Sequence, residues 1–267
     1  MLPLLVEPEQ LNSYLNEPSL LVVDLCGPNA RALGHIPRAV YLEYHALLAT
    51  QWPMSGLLPS CGQLSRVLSS IGLTPATHVV AYDDEGGGKA GRLLWTLDVL
   101  GHTRFSLLNG GLHAWVKEGF PLETRASRPG TSRYRAVRKG NGYADKDYIL
   151  RNLDNSDVVL LDTRTPEEYR GLTRYAARGG HIPGAVNMDW VLTMDRARNL
   201  RLKSAPLLRA LLEERGVTPN REVVVYCQTH HRSSHTYVVL KVLGYPRVRG
   251  YPGAWSEWGN LPDTPVE

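Results

Sequence analysis

Val223-Val-Val-Tyr-Cys227-Gln-Thr-His-His-Arg232-Ser233-Ser234 is an apolar run that ends on a thiol and passes within a few residues into a helical pattern. Three valines and a tyrosine without a charge read as a buried strand. Ser233 or Ser234 is placed to cap the helix that follows. A strand that ends in a tight loop before a helix presents its last side chain to the succeeding backbone N–H groups and to the positive end of the helix dipole. A sulfur there is favoured as thiolate. The competing assignment is an ordinary core cysteine, since free cysteine is among the most buried residue types. Gln228, Thr229, His230, His231 and Arg232 are a poor setting for inert packing, so Cys227 is the candidate nucleophile.

The same strand occurs twice. Val79-Val-Ala-Tyr-Asp83 matches Val223-Val-Val-Tyr-Cys227 apart from its last residue. Upstream, Val22-Val-Asp24-Leu-Cys26 and Gly34-His-Ile-Pro-Arg-Ala-Val40 are echoed by Leu160-Leu-Asp162-Thr-Arg164 and Gly180-His-Ile-Pro-Gly-Ala-Val186. Downstream, Val99-Leu-Gly101 pairs with Val242-Leu-Gly244, and Gly110-Gly-Leu-His-Ala-Trp115 with Gly250-Tyr-Pro-Gly-Ala-Trp255. Matched blocks in one order at a period of about 140 residues mark a duplicated domain, because solenoid repeats run to a few tens of residues.

Residues 125–142 are basic, polar and turn-rich, which sets a connector between an N-terminal domain, 1–124, and a C-terminal domain, 143–267. Each half gives a short strand (Leu20 to Asp24; Val158 to Asp162), an Ile-Pro-x-Ala-Val segment and a helix (around Gly62 to Ile71; Leu207 to Arg215). A second strand (Val79 to Tyr82; Val223 to Tyr226) and another helix (Gly91 to Leu100; Ser234 to Leu243) follow. Strands alternating with helical patterns predict an α/β fold: two tandem domains, each a mainly parallel sheet with helices on both faces.

The duplication supplies an internal control. Where the second half has Cys227 in a neutral to basic loop, the first has Asp83 in Asp83-Asp84-Glu85-Gly-Gly-Gly-Lys89. That acidic loop repels an anion, so the first half is expected to be catalytically silent. Gly86 to Gly88 read as a turn, since no Walker-type pattern accompanies them.

Composition narrows the partners. The 267 residues are 43% hydrophobic, and 30 Lys and Arg exceed 26 Asp and Glu by four. A mild basic excess without a long Lys/Arg block points to small anions and away from nucleic acid. Three cysteines, Cys26, Cys61 and Cys227, form no CxxC and fit a reducing compartment. The start lacks a basic n-region, and no apolar segment approaches the ~20 residues of a membrane span. The expectation is a cytoplasmic protein without a membrane partner.

Within the loop, Arg232 is a candidate to hold the charged part of an anion. His230 and His231 could act as acid/base groups or donors; adjacent residues diverge, so at most one faces the sulfur. A metal site from Cys227, His230, His231 and His235 matches no familiar zinc spacing. His35 and His181 lie in matched Gly-His-Ile-Pro blocks of both halves, only one of which has a nucleophile, so they read as structural. Cys26 and Cys61 read as core or surface thiols.

Four of these motifs together resemble the rhodanese family in its tandem-domain form: Asp162-Thr-Arg164, Gly180-His-Ile-Pro-Gly-Ala-Val186, the loop Cys227 to Arg232, and Gly250-Tyr-Pro-Gly-Ala-Trp255. The loop is similar to the Cys-Gln-Thr-His-His-Arg-Ser form of bacterial thiosulfate:cyanide sulfurtransferases. It departs from the Cys-Arg-Lys-Gly-Val-Thr form of animal rhodanese and from the Cys-Gly-Ser/Thr-Gly-Val-Thr form of mercaptopyruvate sulfurtransferases. Where eukaryotic tandem members place a substrate-binding arginine, this chain has Glu168, with Arg170 two residues on.

The resemblance implies an inactive N-terminal domain and a persulfide carried on Cys227, with the active loop Gln228, Thr229, His230, His231, Arg232 and Ser233 around it. It implies a small anionic donor such as thiosulfate, a thiophilic acceptor such as cyanide or a protein thiol, and neither metal nor organic cofactor. Alternatives are a 3-mercaptopyruvate sulfurtransferase, a persulfide carrier without small-molecule turnover, and a cysteine phosphatase. The last uses Cys-x5-Arg, one residue longer than the Cys-x4-Arg here, so the smaller ring suits sulfur. Trp190, Trp255 and Trp258 are expected in the core or lining a cleft.

Overall fold

The computed structural model describes residues 2–267. The chain divides into two compact units, each with its own parallel sheet. Among the described residues the first comprises 2–47, 59–140 and 194–202, the second 48–58, 141–193 and 203–267.

In the first unit β1 (Leu5–Val6), β2 (Leu20–Asp24), β3 (Val40–Tyr41), β4 (His78–Tyr82) and β5 (Phe105–Leu108) form a sheet of order β1-β5-β4-β2-β3. Every pairing is parallel. Val22, Val80, Tyr82 and Leu108 pack one face against Leu11, Leu112 and Trp115. Helix α1 (Gly88–Val99), buried along most of its length, follows β4.

The second unit repeats the plan with β6 (Val158–Asp162), β7 (Val186–Asn187), β8 (Glu222–Tyr226) and β9 (Val248–Gly250) in the order β9-β8-β6-β7, again all parallel. Tyr143 forms a single parallel bridge to Gly250, where the first unit has β1 beside β5. Strand β8 is paired on both edges and buried at all five residues, which is why its sequence shows no polar alternation. Helices α2 (Pro166–Tyr169), α3 (Arg232–Val242) and α4 (Ala254–Trp258) complete the part of this unit that carries the loop.

Two features differ from the sequence reading. Helices α1 and α3 begin at Gly88 and Arg232, ahead of the expected Gly91 and Ser234. The cause is loop closure: the first helical amides reach back to the residue at the strand end, Ala90 N–H to Asp83 and Ser233 N–H to Cys227. Secondly, the units are not the contiguous stretches 1–124 and 143–267. Residues up to Gly140 pack with the first unit, where Tyr134 and Ala136 are buried and their amides donate to Ser69 Oγ (2.8 Å) and Ser65 Oγ (2.9 Å).

Two hairpins also change sides. Met194–Asp195 with Arg201–Leu202 belongs to the first unit, held by Leu202 N–H on Asn109 Oδ1 (2.8 Å) and by Arg201 on Glu7 and Glu118. Ala49–Gln51 with Met54–Leu57 belongs to the second, where Ser256 Oγ donates to Ser55 O (2.6 Å) and accepts from Ser55 N–H (3.2 Å).

Candidate active site

Strand β8 delivers Cys227 to the end of its sheet, and the chain then turns through residues 228–231 into α3. The turn is made at His230, whose φ of 55° is a left-handed conformation that Asn, Asp and His tolerate better than other non-glycine residues. It brings the amides of Thr229 and Ser233 onto the Cys227 sulfur, together with Ser233 Oγ, which donates to Sγ at 3.4 Å. The loop carbonyls are drawn away: Cys227 O accepts from Trp255 N–H and Gln228 O from Ser256 N–H, both at 2.9 Å. Donors therefore face the sulfur while acceptors are bound by α4 and the residues around it.

Cys227 is fully buried, and its sulfur is met by the Ser233 hydroxyl and by the Ser233 and Thr229 amides. Burial alone pushes its thiol up. The Arg232 charge, the Ser233 hydroxyl and the Ser233 and Thr229 amides outweigh that cost and hold it below the ordinary thiol range.

Arg232 differs from expectation. Its guanidinium forms a bidentate pair with Glu168, at 2.5 and 2.8 Å. Glu168 comes from α2, where Thr165 and Glu168 form a capping box, and it is buried. Burial pushes the Glu168 carboxyl up, but Arg232 overcomes this and holds it below the usual carboxylate range. Arg170 is exposed and turns back to Pro166 O (3.1 Å) and Glu167 (3.7 Å).

The serines also differ from the capping expectation. The residue before α3 is His231, with no side-chain cap. Ser233 turns to the sulfur, and Ser234 Oγ donates to His231 O (2.7 Å). The two histidines diverge. His230 is fully buried with Nδ1 2.7 Å from Ser233 Oγ, whereas His231 lies edge-on to Trp190 at 6.1 Å. His235 bonds Thr193 Oγ1 through Nε2 (2.7 Å). Gln228 Nε2 donates to Tyr175 O (3.0 Å).

The Asp162-Thr-Arg164 motif is a buried brace. Arg164 pairs with Asp162 (2.6 Å), donates to Gly180 O (2.7 Å) and lies 4.5 Å over the Trp255 ring. His181 stacks on Tyr169 at 3.6 Å, a structural contact, and Trp255 and Trp258 are core residues. In both units the tyrosine before the strand-end residue accepts the isoleucine amide of Gly-His-Ile-Pro: Ile36 to Tyr82 (3.1 Å) and Ile182 to Tyr226 (3.2 Å).

In the first unit the equivalent loop already encloses a carboxyl group of its own, pushed up by burial and by Glu85 against the pull of the surrounding amides. Asp83 is fully buried and accepts from the amides of Gly87 (2.8 Å), Ala90 (2.9 Å) and Glu85 (3.0 Å). Asp84 and Glu85 are paired with Lys89 at 3.0 and 3.5 Å. Both units thus turn backbone amides onto the strand-end side chain, those of Glu85, Gly87 and Ala90 onto Asp83 and those of Thr229 and Ser233 onto Cys227.

A rhodanese-like domain model matches residues 7–118 and again 145–261, one on each half of the repeat. The chain belongs to the rhodanese-like family. It is 46% identical to the thiosulfate sulfurtransferase of Azotobacter vinelandii, covering 100% of this chain and 97% of that protein. It is 44% identical to the thiosulfate sulfurtransferase of Pseudomonas aeruginosa, with the same coverage. The sulfur carrier protein TtuD of Thermus thermophilus is 34% identical over 98% of this chain and 95% of its own length. Among solved structures, wild-type EanB superposes with a TM-score of 0.87 at 23% identity, covering 99% of this chain and 69% of that one, a likeness of fold.

The sequence reading of this rhodanese-like chain missed the Glu168–Arg232 pair, the bond of the Ser233 hydroxyl to the sulfur and the contact of Thr193 with His235. Thr165-Pro-Glu-Glu168 is visible as a capping box, which places Glu168 on a helix start but says nothing of its partner 64 residues away.

Proposed function

We propose that this chain is a thiosulfate sulfurtransferase working through a persulfide on Cys227, and that its first unit is catalytically silent. The observation that carries this is the sulfur of Cys227 within a ring of donors from Thr229 and Ser233, with its thiol held below the ordinary range. The Cys227 thiolate attacks the outer sulfur of thiosulfate; an S–S bond forms to Sγ, the bond to the sulfonate sulfur breaks, and sulfite leaves with the electron pair. The new terminal sulfur carries the negative charge toward the same amides, which stabilise it without reorganising. Cyanide or another thiophile then attacks that sulfur and regenerates the thiolate. In this reading Glu168 fixes the Arg232 guanidinium beside the sulfur, and Arg232 acts as an oriented charge more than as a clamp on the donor. Asp83 fills the corresponding ring of the first unit, leaving no nucleophile there.

The 46% and 44% identical relatives support this activity for the chain. Mercaptopyruvate is a poorer donor, since the position where eukaryotic tandem members hold a substrate-binding arginine is Glu168, itself committed to Arg232. The alternative, a carrier that passes persulfide to a protein, corresponds to the name of the 34% identical relative, whereas the 46% and 44% identical ones are named thiosulfate sulfurtransferases. A reducing, cytoplasmic setting fits the free Cys26, Cys61 and Cys227. No helix of the described residues is long and apolar enough to cross a membrane.

The test is thiocyanate formation from thiosulfate and cyanide by the wild type and by Cys227→Ser. Turnover that survives in the variant refutes the mechanism. Loading of one sulfur on Cys227 by mass spectrometry, without turnover, selects the carrier.

A further inference from the structure

We propose that His230, reached through the Ser233 hydroxyl, takes up the proton of Cys227 and remains beside the sulfur as its buried counter-charge. The inference rests on the reading of Cys227 as the nucleophile and assigns a role to a histidine that does not touch it.

Cys227 Sγ, Ser233 Oγ and His230 Nδ1 form a chain with links of 3.4 and 2.7 Å, and all three residues are fully buried. A hydroxyl has one proton. When Ser233 gives it to a thiolate, the short contact to His230 needs a proton on Nδ1, so the imidazole donates. When the sulfur keeps its own proton, S–H points at Oγ and the hydroxyl turns to an unprotonated Nδ1. Passing between the two moves one proton from Sγ to Oγ and one from Oγ to Nδ1. With Nε2 keeping its proton throughout, thiol and neutral imidazole become thiolate and imidazolium. No heavy atom moves and the net charge inside the loop is unchanged, which matters where an isolated buried charge is costly.

The neighbouring imidazole, His231, lies edge-on to Trp190. The other charges around the sulfur are largely committed. Arg232 is paired with Glu168 and Arg164 with Asp162. Asp189, which feels Arg232 and Glu168, has its carboxyl pushed up by burial. His235 is bonded to Thr193. During turnover the His230 proton stays in place: thiolate is replaced by persulfide anion when sulfite leaves, and returns when the acceptor removes the outer sulfur.

The experiment follows thiolate ultraviolet absorbance against pH in the wild type, Ser233→Ala and His230→Asn, with Cys227→Ser as the blank. Asparagine suits a positive φ and can place its side-chain N–H near the position of Nδ1, so it can donate to Ser233 but cannot take up a proton. The expected result is an upward shift of the thiolate midpoint by roughly one unit, a tenfold loss of thiolate below it, in each single variant. The double variant should add little, because both act on one chain. A midpoint unmoved by His230→Asn overturns the proposal, even if Ser233→Ala shifts it. Should a variant fail to fold, imidazole nitrogen NMR of the wild type decides: His230 must be cationic while Cys227 is thiolate and lose that character in Cys227→Ser. Surviving turnover in Cys227→Ser would refute the proposed function, whereas the thiolate titration reads the relay independently.

Discussion

The hairpin that includes Met54–Leu57 meets the active loop at Gly56, and Gly56→Ala tests whether that contact holds the amide ring in shape. Gly56 has φ +81°, and a Cβ there would lie 2.7 Å from Thr229 Cβ and 2.9 Å from Thr229 C. The left-handed backbone costs a non-glycine residue about 1–2 kcal/mol. Forcing an added carbon onto packed backbone costs about 1–3 kcal/mol more. A total of about 2–5 kcal/mol is a large part of a typical stability of about 5–15 kcal/mol. Gly119 supplies the control. Its φ is +78° with nothing within 4 Å, so Gly119→Ala carries the backbone cost alone. The difference between the two variants in urea unfolding isolates the contact, with an expected value of about 1–3 kcal/mol. Because the crowded residue supplies an amide to the sulfur, displacement of Thr229 should also lower kcat for thiocyanate formation, on the order of 10²-fold if it moves by about 1 Å. Gly119→Ala should leave kcat unchanged. Equal unfolding costs in the two variants, or an unimpaired kcat in Gly56→Ala, would refute the idea that the hairpin shapes the loop.

Glu168→Gln removes a buried charge from the Arg232 pair and is expected to cost about 1–3 kcal/mol at neutral pH by urea unfolding. Since the Glu168 carboxyl is held below its ordinary range, its stabilising effect is complete above the unfolded value of about 4.3 and is lost as pH falls through the folded one. The variant should therefore show a flatter acid limb of stability against pH than the wild type. Arg232→Lys keeps a charge but not the two-pronged geometry, and should reduce kcat/KM for thiosulfate about tenfold or more in the thiocyanate assay. Burial, reinforced by Asp24, Asp83 and Asp84, pushes the Cys26 thiol up, so peptide mapping after brief iodoacetamide treatment of the native protein should find Cys26 unmodified and the half-buried Cys61 labelled.

Much of this architecture was legible because the chain states it twice. Strands β2 and β6 coincide with the residues read for them, and β4 and β8 each gain only one residue at the start, His78 and Glu222. Local apolar runs determine such strands, so a local reading finds them. Cys227 was legible for the same reason, being the first residue past a buried strand. What escaped depends on contacts remote in sequence. Arg232 meets Glu168 across 64 residues, and Ser55 meets Ser256 across 201. No periodicity encodes either. Ser233 has the residue type of a helix cap and was read as one; its hydroxyl is claimed by a sulfur that only the folded turn at His230 brings within reach.

The exchanged hairpins have a practical corollary. A protein cut before residue 143 would keep β6 to β9, Cys227 and the whole loop, yet lose residues 48–58, and with them the partner of Ser256 and the neighbour of Thr229. Although the sequence repeats itself, neither copy is a self-sufficient recipe: the half bearing Cys227 borrows a piece encoded in the half that has Asp83 at the matching place. A truncation that preserves every motif should still yield a crippled product, and supplying the missing stretch, by fusing it back through a short linker, is the natural way to restore it.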